Sequence, residues 1–166
     1  MIPVRIESLM LGLAPSPSVL TLCSLNQNEK FKDVTLPIWV GSAEATAIAA
    51  ALEHNKQPRP LTHSLMKSVI DALNGELVRV LIDSVDGTVF HSSLIIRQGM
   101  NTCVRVDARP SDAIALAIHC DAPIFVDEKV MEAASTPRSL APGAEKKIEL
   151  EEFHKFVQNV TPDDFV

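Results

Sequence analysis

Tyrosine is absent from this chain, tryptophan occurs once, and aromatic residues make up only 4% of its 166 positions. Proteins that hold single strands by stacking successive bases need several exposed rings. A broad stacking platform is therefore excluded, and Trp39 and the six phenylalanines read as core. Cysteine is scarce and scattered. Cys23, Cys103 and Cys120 show none of the short spacings that metal sites use, and an odd number cannot fully pair. They read as reduced, buried residues in a reducing compartment. Positive charge is also short. A net charge of −6 removes the long-range attraction by which basic proteins gather polyanions, so any contact with nucleic acid must be local. No apolar run approaches the roughly 20 residues of a membrane span, and the N-terminus lacks a basic leader followed by an apolar core. A soluble, cytoplasmic protein without a membrane partner is the expectation.

Apolar residues, by contrast, are plentiful at 46%, and their spacing changes along the chain. Residues 2–10, 18–25 and 33–40 carry β-branched and aliphatic residues between turn-rich stretches and read as a strand meander. Pro37 cannot donate to a ladder, which puts the third strand at an edge or a bulge. From Ser42 the period becomes helical. Ser42 is the expected cap, Glu44 lies in the first turn where the helix dipole favours an anion, and Ala47, Ile48, Ala51 and Leu52 share a face. A second helix starts at Thr62, with Leu61 and Met66 spaced as a hydrophobic staple, and stops at Asn74-Gly75.

Two alternating runs, 76–83 and 88–97, flank an Asp-Gly turn, and residues 102–107 supply a third strand. Pro110 suits a first helical position, and Ala113, Ile114, Ala117 and Ile118 form an apolar stripe. Pro123 stops that helix ahead of a short strand at Ile124-Phe125-Val126 and a helical turn over 127–134. The expected fold is α+β: a mainly antiparallel sheet of two meanders packed with Ala-rich helices. A domain over 1–134, a linker over 135–147 and a C-terminal amphipathic helix and tail over 148–166 complete the plan. Strand edges and close-packing helix faces make a homo-oligomer, most simply a dimer, the expected assembly.

Two helix starts resemble each other. "PRPLTHSL" at Pro58 and "ARPSDAIA" at Ala108 both place Arg-Pro ahead of polar residues and an apolar helix. Proline forces the preceding arginine to extended geometry, so Arg59 and Arg109 are held off the helix axis. Facing one cleft, two guanidiniums and two helix N-termini would suit phosphate. Ordinary capping, with Arg109 paired to Asp107 or Asp112, explains the same residues, and spacing leaves both readings open.

The stretches "LPIWVGSAEATAIAAALE", "PRPLTHSLMKSVIDAL" and "VDARPSDAIALAIHCDAPIFV" resemble the bifunctional nuclease domain family, in the same order and with similar gaps. The tail "ELEEFHKFVQNVTPDDF" is similar to the segment that follows this domain in many members. The resemblance implies a nuclease of broad specificity acting on DNA and RNA, with the family's polar signature falling on Glu44, Arg59, His63, Asp107, Arg109, Ser111 and Asp112. In that picture His63, Asp107, Arg109 and Asp112 are catalytic, and Arg59, Ser111 and Glu44 bind substrate. Arg59 and Arg109 would clamp phosphate, His63 would move a proton, and Asp107, Asp112 and Glu44 are the candidate ligands of a divalent cation, Mg2+ or Mn2+. Ser111 would donate to phosphate rather than attack, because no neighbouring histidine activates it. The alternative is a non-catalytic module holding a phosphorylated small molecule or organising an oligomer, which suits the acidic charge better. A third reading makes the cluster purely architectural.

Overall fold

Alternating apolar residues from Ile2 onward open a sheet that collects every strand of the chain's described part. The computed structural model describes residues 1–12, 16–26, 29–53, 58–99 and 102–142. The first meander is β1 (Ile2–Met10), β2 (Ser18–Ser24) and β3 (Val34–Val40). Helices α1 (Ser42–Leu52) and α2 (Thr62–Ala72) follow. The second meander is β4 (Gly75–Asp86), β5 (Val89–Gln98) and β6 (Thr102–Ala108). Then come α3 (Pro110–Cys120), β7 (Ile124–Val126), α4 (Glu128–Ala134) and the two-residue β8 (Thr136–Pro137).

The two meanders form one mixed sheet in the order β6-β5-β4-β7-β1-β2-β3-β8. Three-residue β7 is the seam: it runs antiparallel to β1 and parallel to β4, and every other pairing is antiparallel. The result is the expected α+β architecture with four helices. Pro37 sits opposite Thr21 of β2, while β8 reaches only Val34 and Thr35 on the other flank. Its missing N–H therefore costs no ladder bond, as an edge position requires. Gly87, at φ +58°, starts the two-residue turn between Asp86 and Val89, where a left-handed residue suits the strand twist.

One core joins the inward strand residues, among them Leu20, Leu22, Leu36, Ile38, Val80, Ile82 and Leu94, to Ile48, Ile114 and Leu116 of the helices. Ala113 through Ala117 are all sealed from solvent. A helix apolar on every side is a buried one, and α3 packs on α1, on α2 and on β4 and β5. The α1 face is rotated from the expected one. It buries Ala45, Ile48 and Ala51, while Leu52 is exposed. In α2 only His63 is buried; Leu61 and Met66 lie exposed, and with Leu61 itself as the cap they no longer fall at the two staple positions.

Helix caps also fall one residue earlier than the sequence suggests: Gly41 rather than Ser42, and Leu61 rather than Thr62. Asn74, at φ 56°, makes the expected left-handed stop after α2. Of the cysteines, Cys23 is buried and Cys120 half-buried, but Cys103 is exposed on β6 and is not a core residue. The stretch expected as linker begins with β8 and a 3-10 turn at Arg138–Leu140; residues 143–166, with the expected C-terminal helix, lie outside the described residues.

Candidate functional site

Three helices begin at the same end of the molecule, and none has a cap that accepts a hydrogen bond. The cap residues of α1, α2 and α3 are Gly41, Leu61 and Arg109, none making a side-chain cap bond. Glycine and leucine carry no polar side-chain atom and arginine only donates. The contrast is α4, where Asp127 accepts from the N–H of Lys129 at 3.0 Å. With ordinary caps missing, the first-turn amides of α1 and α3 retain their preference for an anion.

Two carboxylates, one histidine and one arginine knit these starts together. His63 Nε2 lies 3.2 Å from Asp112 Oδ1. The other oxygen of Asp112 accepts from Arg109 Nε at 2.8 Å, and Arg109 Nη1 reaches Glu44 Oε1 at 3.0 Å. Thus α2 is tied to α3 through His63 and Asp112, and α3 to α1 through Arg109 and Glu44. Burial raises the pKa of Asp112, but the bonds from Arg109 and His63 outweigh it, and the carboxyl is held below its ordinary value. Asp112 raises the already high pKa of Arg109, with Glu44 adding to it. The glycine at Gly41 has a specific use: a Cβ there would collide with the Glu44 carboxylate that folds back over it.

Glu44, Arg109 and Ser111 line an open cleft of about 290 Å³, together with Gly41, Pro110, Ile38, Trp39 and Val40 of β3, and Thr88, Val89 and Phe90 of the β4–β5 hairpin. The Arg109 side chain is 67% exposed, so it faces solvent while its Nε and Nη1 hold carboxylates. Trp39 is the residue that composition misassigned. It is 59% exposed and stands on the cleft wall. Ile38 and Val40 point into the core, and strand alternation turns the residue between them outward. That register was available in the sequence.

The remaining sequence candidates divide. His63 is buried against Asp112, not on the cleft wall. Ser111 is buried on the wall, at the second position of α3. Arg59 is exposed and lies outside the cleft lining, so the paired Arg-Pro starts meet through His63 and Asp112 and not through their arginines. Asp107 lies opposite Ser93 in the sheet, and Ser93 bonds Asp83 and Arg105. Alternation therefore puts Asp107 on the sheet face away from Arg109's helix layer. Among the described residues no three His, Cys, Asp or Glu side chains converge to hold a metal ion. With Asp107 apart and both other acids bonded to Arg109, the donor set does not fit a divalent cation.

Fold and cleft define an α+β domain that gathers uncapped helix starts and one exposed arginine at a single opening. The chain belongs to the bifunctional nuclease domain family, whose model matches residues 25–139. Strands β1 and β2 both precede that match, yet β1 is bonded to β7 and β2 and completes the sheet. The uncharacterized protein Rv1829 of Mycobacterium tuberculosis is 39% identical over 139 residues, covering 80% of this chain and 82% of that protein. Bifunctional nuclease 1 of Arabidopsis thaliana is 27% identical over 117 residues, 69% of this chain but 34% of that protein. Bifunctional nuclease 1 of Oryza sativa subsp. japonica is 28% identical over 104 residues, 61% and 31% respectively. No described helix is long and apolar enough to cross a membrane.

Proposed function

We propose that this chain is a nuclease that hydrolyses phosphodiester bonds of DNA and RNA in the cleft between β3, the β4–β5 hairpin and the starts of α1 and α3. The carrying observation is Arg109, two-thirds exposed, at the N-terminus of a helix that it cannot cap. A phosphate there would meet the guanidinium and the first amides of α3 together, and both stabilise the charge that builds on phosphorus-bound oxygen during attack. Trp39 offers one face for a base beside that phosphate, which suits a local, sequence-tolerant contact better than a long groove. Glu44 is the cleft carboxylate placed to take the proton of an attacking water as its oxygen bonds phosphorus and the bond to the leaving oxygen breaks, that oxygen taking a proton from solvent in the open cleft. His63 is a positioning residue that fixes Asp112, and Asp112 in turn aims Arg109.

A second reading has its own support. Glu44 on the cleft wall and Asp112 outside its lining are both bonded to Arg109, and among the described residues no three His, Cys, Asp or Glu side chains converge on a metal position, an arrangement that suits holding a phosphorylated ligand without cleaving it. The two are separated by incubating the purified chain with single- and double-stranded DNA and with RNA, in Mg2+, in Mn2+ and in chelator, beside folded Arg109→Ala. Cleavage that persists unchanged in the variant would sink the nuclease reading. No cleavage, with phosphate raising the Tm of the parent chain alone, would select the binding module.

A further inference from the structure

The cleft is small and its walls differ in kind. At about 290 Å³ it falls at the floor of the roughly 300–1,000 Å³ that small-molecule sites occupy. That is room for one nucleotide and not for a helical turn. Trp39, 59% exposed, stands on the β3 wall, and Val89, 58% exposed, on the hairpin wall. Single exposed apolar residues are ordinary, but these two open on the same space. Phe90, next to Val89, packs against the core and lies opposite Val85 in the hairpin, which anchors that wall.

The polar end has one seat for a phosphate. Pro110 has no N–H, so the amides left unbonded in the first turn of α3 are those of Ser111 and Asp112. Ser111 is 8% exposed and lines the cleft, and its hydroxyl makes no hydrogen bond among the described residues. A buried hydroxyl without a partner costs free energy until a ligand or water completes it. Arg109 spends Nε on Asp112 and Nη1 on Glu44, which leaves Nη2. Phosphate oxygens accept from hydroxyl, amides and guanidinium together.

Nothing here serves a second strand. Arg109 is the one cationic side chain of the described lining, Glu44 lies beside it, and the exposed Asp86 begins the hairpin turn. A duplex keeps its bases stacked, so a base reaches Trp39 only by leaving the stack. Proteins that unstack a duplex recover the cost by wrapping it in further contacts, and one phosphate seat on an acidic rim cannot. One base stacked on an aromatic ring is worth roughly ten- to a hundredfold in affinity, and unstacking takes back about as much. A single strand keeps that gain and a duplex forfeits it.

We propose that the substrate of this cleft is single-stranded nucleic acid, one nucleotide of which enters with its base between Trp39 and Val89 and its phosphate on Ser111 and Arg109. The proposal rests on the nuclease reading above and narrows it. Apolar walls meet the faces of a base and leave its edge unread, so the four bases enter alike. Val89 is then the specificity-determining residue: it supplies the second face of the base site, and a base still stacked in a duplex cannot present both faces.

The test compares a single-stranded DNA circle, the same sequence as a relaxed closed duplex circle, and a hairpin oligonucleotide with an unpaired loop, each in Mg2+ and in Mn2+, with Arg109→Ala marking cleavage at this site. The single strand should be cut about a hundredfold faster than the duplex, and cuts in the hairpin oligonucleotide should fall in its loop. Val89→Ser should raise KM for the single strand several-fold and Val89→Phe should lower it, with kcat and the affinity for inorganic phosphate unchanged in both. Equal cleavage of single strand and duplex, abolished in Arg109→Ala, would overturn this proposal and leave the nuclease reading standing. So would a KM indifferent to both Val89 variants. Cleavage of no substrate removes the nuclease reading and this proposal with it.

Discussion

His63 Nε2 and Asp112 Oδ1, 3.2 Å apart, join the first turns of two helices that are 49 residues apart in the chain. Asp112 receives a second bond from Arg109, so its charged form is favoured in the folded state. Asp112→Asn should lower stability at pH 7 by about 1–3 kcal/mol, or roughly 3–10 °C in Tm for a chain of this size. The pH dependence has a fixed sign. A carboxylate with a lowered folded pKa contributes fully above its unfolded value of about 3.9, and loses that contribution as pH falls through the lower folded value. Thermal melts of the two proteins should therefore differ at pH 7 and at pH 5 and draw together below about pH 4. A gap that fails to close in acid contradicts this assignment.

Glu44 holds one side of the Arg109 fork at 3.0 Å. Glu44→Gln removes the competing negative charge from Arg109 while deleting the proposed proton acceptor. Phosphate should then bind more tightly, by a few-fold given the solvent screening of exposed pairs, while cleavage falls about a hundredfold or more. Gly41→Ala should reproduce part of this pattern. Its φ of −67° suits alanine, so the effect would come from displacement of the Glu44 side chain. Isothermal titration with phosphate beside a cleavage assay reads both halves, and a parallel fall of binding and cleavage would falsify the role given to Glu44.

The chain has one tryptophan and no tyrosine, so its fluorescence reports Trp39 alone. Exposure of 59% predicts red-shifted emission in the free protein. Short single-stranded oligonucleotides should quench and shift it, whereas inorganic phosphate should leave it nearly unchanged. Trp39→Ala should weaken oligonucleotide binding by about 1–3 kcal/mol, the usual worth of one stacked base, with the Tm close to that of the parent. Quenching that survives in Arg109→Ala at the same concentration would separate the tryptophan from the phosphate site.

Local patterns in the sequence carried most of the elements. β-branched alternation marked the strands, Asp86-Gly87 the hairpin and Pro110 the start of α3, because each is set by short-range sterics. The joining of both meanders through β7 was not legible. Three residues, Ile124–Val126, pair with β1 and β4 from far away in the chain, and no local signal encodes such a partner. At the site, acids and arginines could be named from the resemblance, yet Asp107 and Arg109, two residues apart, part company because strand geometry turns Asp107 to the other face before the helix begins. Trp39 went the opposite way: low aromatic content suggested core, while the register of Ile38 and Val40 decided for solvent.

Arg109 is where the phosphate reading is most exposed to test. Its side chain is largely in solvent, so Arg109→Ala should cost little stability beyond the support it gives Asp112. Its effect on cleavage should be about 100- to 1,000-fold, the usual loss for one charge-stabilising donor. Arg109→Lys should not restore activity, since a single ammonium cannot hold Asp112, Glu44 and a phosphate with separate donors in one plane. Salt gives an independent reading. With one or two arginines near the cleft on an otherwise acidic chain, the slope of log K against log salt for single strands should be shallow, about −0.7 to −1.4. Arg109→Ala should reduce it by about 0.7. A steep slope in the parent would mean that the strand is held by a cationic surface elsewhere, and the cleft would lose its claim to the substrate.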